Sequence, residues 1–152
     1  MNKQIGLEEL KTLLEATTQE GLEFTITVSG SSMMPLFVDG VTKVILGRPD
    51  NLRLGDVVLF STKEGKILLH RIVQIEPSTN TFTMRGDALV RSDEPVVQNN
   101  ILAKVLGYFN ENRYILMESK EQKRIWAKQK RFFSIRKGIV RLKRLVKRLF
   151  GR

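Results

Sequence analysis

Over the first 117 residues the spacing of apolar side chains changes period once. Leu7, Leu10, Leu13 and Leu14 recur at steps of three and four, with Glu and Lys between them. That stripe predicts a short amphipathic helix over 7–17, stopped near Gly21. Phe24, Ile26 and Val28 then alternate with Thr25, Thr27 and Ser29, the two-residue period of a strand with one face buried. Further apolar, β-branched runs follow at 41–46, 57–61, 66–75, 81–85, 101–110 and 113–117. Turn-forming groups separate them: Asp39-Gly40, Pro49-Asp50, Leu54-Gly55-Asp56, Glu64-Gly65, Pro77-Ser78-Thr79-Asn80 and Asn110-Glu111-Asn112. Short strands at this spacing predict a mostly β body, a barrel or coiled sheet behind one short N-terminal helix.

From Ser119 onward the helical period returns. Phe132, Ile135, Ile139, Leu142, Val146 and Leu149 fall at steps of three and four, and Lys and Arg fill the opposite face. The pattern predicts a C-terminal cationic amphipathic helix, with Gly138 as the place for a bend.

Charge sharpens this division. The 152-residue chain carries a formal net charge of +10, yet residues 1–117 hold 12 basic and 14 acidic side chains while 118–152 hold 14 basic and 2 acidic. The expected organisation is therefore a nearly neutral body, 1–117, and a basic tail, 118–152. A tail of this kind suits the interface of an anionic membrane, with Trp126, Phe132 and Phe133 at headgroup level and Arg136, Lys143 and Lys147 toward the lipid phosphates. Nucleic acid is the second candidate partner, unsupported by any aromatic platform or DNA-binding motif. Packing of the stripe on the body is the third. No run approaches the roughly 20 apolar residues of a membrane span, and the N-terminus has Glu where a secretory signal needs an apolar core. The expected location is cytoplasmic or peripheral on a membrane; the pattern sets no oligomeric state.

The residue inventory narrows the chemistry. The chain has no Cys, which excludes disulfides, thiolate metal sites and a cysteine nucleophile. One histidine, His70, leaves little from which to build a zinc site. No metal or organic cofactor is expected.

What remains is a set of hydroxyl, imidazole and carboxylate groups. Ser32 follows Gly30 where a strand turns, a position at which nearby N–H groups can face a developing oxyanion. His70 lies in the apolar run Ile67-Leu68-Leu69-His70-Arg71-Ile72-Val73. Imidazole, with an ordinary pKa of ~6.5, accepts a proton near neutrality. Asp87 and Asp93 lie in Arg85-Gly86-Asp87-Ala88 and Arg91-Ser92-Asp93-Glu94-Pro95, and either can supply the carboxylate that holds an imidazole in its working tautomer. Taken singly, each of these residues reads as an ordinary loop or strand position.

Together they match an ordered pattern. Ser29-Gly30-Ser31-Ser32-Met33-Met34-Pro35, Gly55-Asp56-Val57-Val58-Leu59-Phe60, Leu69-His70-Arg71-Ile72-Val73, and Met84-Arg85-Gly86-Asp87 with Asp93 six residues on resemble the successive boxes of the type I signal peptidases. The likeness is greatest to the archaeal and endoplasmic-reticulum type, which uses His where bacterial enzymes use Lys. It spans roughly residues 24–110.

The resemblance implies a coiled antiparallel sheet of the kind shared by signal peptidases and the LexA-like self-cleaving repressors. It implies Ser32 as nucleophile, His70 as base, Asp93 as the orienting carboxylate and Asp87 in support. Peptide would add as a strand beside Ser29, Gly30, Met34 and Pro35 and beside Val57, Val58 and Leu59, a main-chain recognition mode. The box here reads Ser-Gly-Ser-Ser-Met rather than Ser-Gly-Ser-Met, approaching the Gly-x-Ser-Met of the repressors. Gly30 therefore stands where the family has an oxyanion-stabilising hydroxyl, and the candidates become the N–H groups of Ser32 and Met33, then Ser31 and Ser29. The repressors use a Lys base, for which Lys66 and Lys63 are the candidates. The expected activity is a serine endopeptidase acting on a peptide leader or signal-peptide-like segment; the alternative is a non-catalytic peptide binder or a self-cleaving regulator whose basic tail touches DNA.

Overall fold

The structure is a computed structural model, and it describes residues 7–131 except 121 and 129. The chain divides into two compact units between Glu118 and Ser119, one residue beyond the boundary that charge predicts.

The first unit is one curled antiparallel sheet with a short helix. Helix α1, Leu7–Gln19, runs two residues beyond the predicted 7–17. It ends where Leu22 N–H reaches the Thr17 carbonyl and Gly21 takes φ +74°, a left-handed turn in which glycine meets no Cβ penalty. Leu14 is wholly buried in this helix, a burial that contributes about 2 kcal/mol.

The strands are β1 Phe24–Thr27, β2 Lys43–Gly47, β3 Val57–Ser61, β4 Ile67–Glu76, β5 Thr81–Arg85, β6 Val96–Val97, β7 Ile101–Asn110 and β8 Arg113–Leu116. All seven predicted strands are present. The eighth, β6, has two residues, too few to show a period. The order across the sheet is β1-β2-β7-β3-β4-β5-β6, and β8 pairs with β7.

Strand β3 is covered on both faces. All five of its residues are buried, because the sheet carries an apolar cluster on each face. Val57 and Leu59 join Leu14, Phe37, Val44, Leu46, Val105 and Tyr108 on one side, whereas Val58 and Phe60 join Ile72, Phe82, Met84 and Ile101 on the other. A strand covered on both faces loses the apolar and polar alternation of β1.

The interior place of β3 also corrects the expectation that Val57, Val58 and Leu59 receive a substrate strand. Val58 and Leu59 pair with His70 and Leu69 of β4 on one edge and with Lys104 and Ala103 of β7 on the other. Their side chains are buried. Backbone groups already committed to two neighbours cannot take a third strand. Strand β1, by contrast, pairs only with β2 among the described residues, so its outer edge can accept main-chain hydrogen bonds.

In the second unit, residues 122–128 are helical. Trp126 lies there and is half-buried. The predicted stripe and basic face with Phe132, Phe133, Arg136, Lys143 and Lys147 lie outside the described residues. Among the described residues no helix is long and apolar enough to cross a membrane.

Candidate active site

Three segments distant in sequence converge at one end of the sheet. The first leaves β1 at Val28, whose N–H and carbonyl bond Thr42 and Gly40. Gly30, at φ +91°, then reverses the chain while its N–H donates to Asp39 Oδ1 at 2.8 Å. The turn that follows carries Ser32. Met33, 1% exposed, is its anchor in the apolar cluster beneath. Met34 N–H bonds the Ser31 carbonyl and Phe37 N–H the Met33 carbonyl, and the Met34-Pro35 peptide is cis.

The second segment is β4. His70 pairs with Val58 and shares a face with it, and its ring lies 6.1 Å from the Phe60 ring. The imidazole is 3% exposed. Arg71, the next residue, points to the opposite face as strand geometry demands.

The third is the loop 86–93, which leaves β5 at Arg85 and returns when Asp93 N–H bonds the Met84 carbonyl at 2.8 Å. Gly86 is pressed against Ser32 and His70. A Cβ there would lie 2.6 Å from the Ser32 carbonyl oxygen and 3.0 Å from His70 Nε2, distances that glycine alone fits. Ala88 N–H donates to the same Ser32 carbonyl at 2.9 Å.

These segments bring Ser32, His70 and Asp93 into line. Ser32 Oγ is 3.0 Å from His70 Nε2, and His70 Nδ1 is 2.7 Å from Asp93 Oδ2. An ionised carboxylate only accepts, so Nδ1 carries the proton toward Asp93 and Nε2 keeps a lone pair for the Ser32 hydroxyl. Among the described residues the N–H groups of Ser32 and Met33 donate no hydrogen bond, which leaves two donors beside the Ser32 hydroxyl.

Asp87 does not join this line. Its two oxygens accept from Arg71 Nε at 2.8 Å and Nη2 at 2.7 Å, and Arg71 Nη1 donates to the Gly55 carbonyl at 2.8 Å. Both side chains of the pair are 3% exposed. Burial pushes the Arg85 guanidinium below its ordinary pKa, with Asp87 opposing the shift. Arg85 lies directly opposite Arg71 in the register, so Asp87 is the carboxylate that offsets two buried cations. Sequence reasoning missed Arg71, although a cation inside an apolar run is a signal, since buried charges demand partners.

The alternative bases, Lys63 and Lys66, are both exposed. Lys63 is 70% exposed and pairs with Glu94 at 3.3 Å. Lys66 is exposed in the β3–β4 turn, where its N–H bonds Thr62 Oγ1. Ser29, Gly30, Ser31, Met34 and Pro35 are exposed around Ser32, in the segment that follows β1. Among the described residues no group of acidic and histidine side chains could hold a metal ion.

A pocket of about 400 Å³ opens elsewhere on the first unit, lined by Glu23, Arg48, Arg53, Lys104 and Glu118 among others. None of the serine, imidazole or carboxylate groups described above contributes to it. No protein-family model matches the chain, and no curated protein matches it in sequence.

Proposed function

We propose that this chain is a serine endopeptidase of the signal-peptidase type that cleaves a peptide leader or similar extended segment. One observation carries the reading: Ser32 Oγ, His70 and Asp93 form a continuous hydrogen-bonded relay, 3.0 Å and 2.7 Å, through a buried imidazole. A structural histidine needs one partner; a hydroxyl and a carboxylate on its opposite nitrogens is the arrangement that activates a nucleophile.

The chemistry follows from the geometry. A peptide added along the open edge of β1 runs toward Ser32, where its scissile carbonyl meets Oγ. The Ser32 proton passes to Nε2 as the C–O bond forms. Asp93 then faces an imidazolium, whose charge it stabilises without itself taking the proton. Negative charge on the carbonyl oxygen falls to the free N–H groups of Ser32 and Met33. When the C–N bond breaks, Nε2 returns the proton to the leaving amine, and water repeats the sequence on the Ser32 ester.

A fluorophosphonate, which phosphonylates an activated serine, tests this directly. Intact mass should report one adduct on the wild-type chain and none on Ser32→Ala, with His70→Ala slowed by orders of magnitude. Equal labelling of all three chains overturns the reading. A mass time course without reagent separates cleavage of the chain itself from cleavage of other peptides.

The basic C-terminal segment is read as a membrane-surface anchor, on its charge of 14 basic against 2 acidic residues. Vesicles containing anionic lipid should sediment the whole chain and leave in solution a chain ending at Met117. Sedimentation of both, or of neither, removes the anchor.

A further inference from the structure

The pocket away from Ser32 lies over one row of positions that crosses three strands. Glu23 precedes Phe24, which pairs with Leu46, so Glu23 stands at the head of β1 beside Gly47; Gly47 in turn pairs with Lys104. Residues opposite one another in antiparallel strands share a face. The row therefore reads carboxylate, no side chain, ammonium, and its ends are two strand spacings apart, roughly 10 Å. Between them the floor is apolar. Leu106 falls at the bulge in the β2–β7 register, where Ile45 faces Gly107 and Leu46 faces Val105. Its Cδ1 takes the space that a Cβ on Gly47 would need, 2.6 Å away. Leu106 and Leu22, the latter 55% exposed, belong to neither apolar cluster.

Charge decides what this space can hold. Three cations and three anions line it, so a simple anion or a simple cation meets as much repulsion as attraction. Arg48 Nε is spent on Asp50 at 3.2 Å, and Lys104 Nζ is shared between Asp56 at 3.7 Å and Glu118 at 4.0 Å. The Asp56 oxygen that pairs with Lys104 also accepts the Arg53 N–H at 2.9 Å, which puts Arg53 at the ammonium end of the row. Among the described residues the Glu23 carboxylate and the Arg53 guanidinium have no ion-pair partner. One free charge of each sign over an apolar floor, in a cavity of about 400 Å³, matches a small zwitterion with an apolar body.

We propose that this pocket binds a free dipeptide with an apolar side chain: Glu23 takes its ammonium, Arg53 its carboxylate, and Leu22 and Leu106 its side chain. An extended dipeptide is about 7 Å long, which fits a gap of two strand spacings with a charged side chain reaching in from each end. The guanidinium donates two parallel N–H bonds to a carboxylate, a contact that a lysine does not copy. The site stands whether or not Ser32 is a nucleophile.

Calorimetric titration of the full chain with Ala-Leu, N-acetyl-Ala-Leu and Ala-Leu amide tests this. Ala-Leu should bind once per chain, and each blocked form about ten-fold more weakly, since each loses one charge-assisted contact. Glu23→Gln and Arg53→Gln should each weaken Ala-Leu binding by about ten-fold. Both side chains are exposed, so neither change disturbs the core, and fluorophosphonate labelling should match wild type. The pairing is specific: Glu23→Gln should leave the affinity for N-acetyl-Ala-Leu unchanged, and Arg53→Gln that for the amide. No binding, equal affinity for the three ligands, or wild-type affinity for Ala-Leu in either variant overturns the proposal. So does tighter binding of glycerophosphoethanolamine than of Ala-Leu, which would assign the pocket to a lipid headgroup.

Discussion

The two ends of the loop 86–93 carry the same functional group into different surroundings. Asp87 is 3% exposed and spends both oxygens on the Arg71 guanidinium; Asp93 is 18% exposed and gives one oxygen to His70 Nδ1. The first carboxylate faces a permanent cation, and the second faces a ring that gains charge only when it takes a proton. A bidentate pair with arginine is geometrically fixed and does not change during a reaction cycle. A carboxylate on a neutral imidazole becomes an ion pair only at the moment the base acts. On the proposed reading the same residue type serves architecture at one end of the loop and chemistry at the other, and the partner decides which.

That contrast can be broken by substitution. The largest effect is expected from Asp93→Asn, which lets the imidazole adopt the wrong tautomer and should slow fluorophosphonate labelling by about 10⁴-fold. Its melting temperature should stay near wild type, because the loop remains tied through Asp93 N–H to Met84. Asp87→Asn should invert the pattern. It leaves Arg71 buried without its carboxylate, a loss of about 3–5 kcal/mol, read as a fall of roughly 10 °C in melting temperature. Its labelling rate per folded molecule should fall far less than that of Asp93→Asn. Equal stability losses in the two variants would erase the distinction. The smallest effect belongs to Lys63→Ala. It removes an ion pair with Glu94, next to Asp93 in the chain but 70% and 75% exposed, so urea unfolding should change by less than about 1 kcal/mol. A larger change would make the surface beside Asp93 part of the site.

The legibility of the molecule follows the same division. The α1 stripe and the alternation at Phe24, Ile26 and Val28 are local signals, and each became the element its period predicts. The run at Val57 to Ser61 was equally readable as a strand, but its position was not. An apolar run is compatible with an edge or an interior strand, and only pairing with both β4 and β7 closed it to an added strand. Ser32, His70, Asp87 and Asp93 were recognisable as reactive types in order. Which aspartate meets the imidazole depends on how a loop of a few residues turns, and local spacing does not encode that.

Sequence alone determined the helix, the strands, the uneven charge and the short list of groups able to do chemistry, because periodicity and composition act over neighbouring residues. Tertiary structure decided that His70 Nε2 meets Ser32 and that Asp87 belongs to Arg71. It also placed a Leu89 methyl and His70 Nε2 against Gly86. Those contacts join residues up to 38 positions apart, and their distances are set by how strands pair across the sheet rather than by anything the neighbouring residues specify.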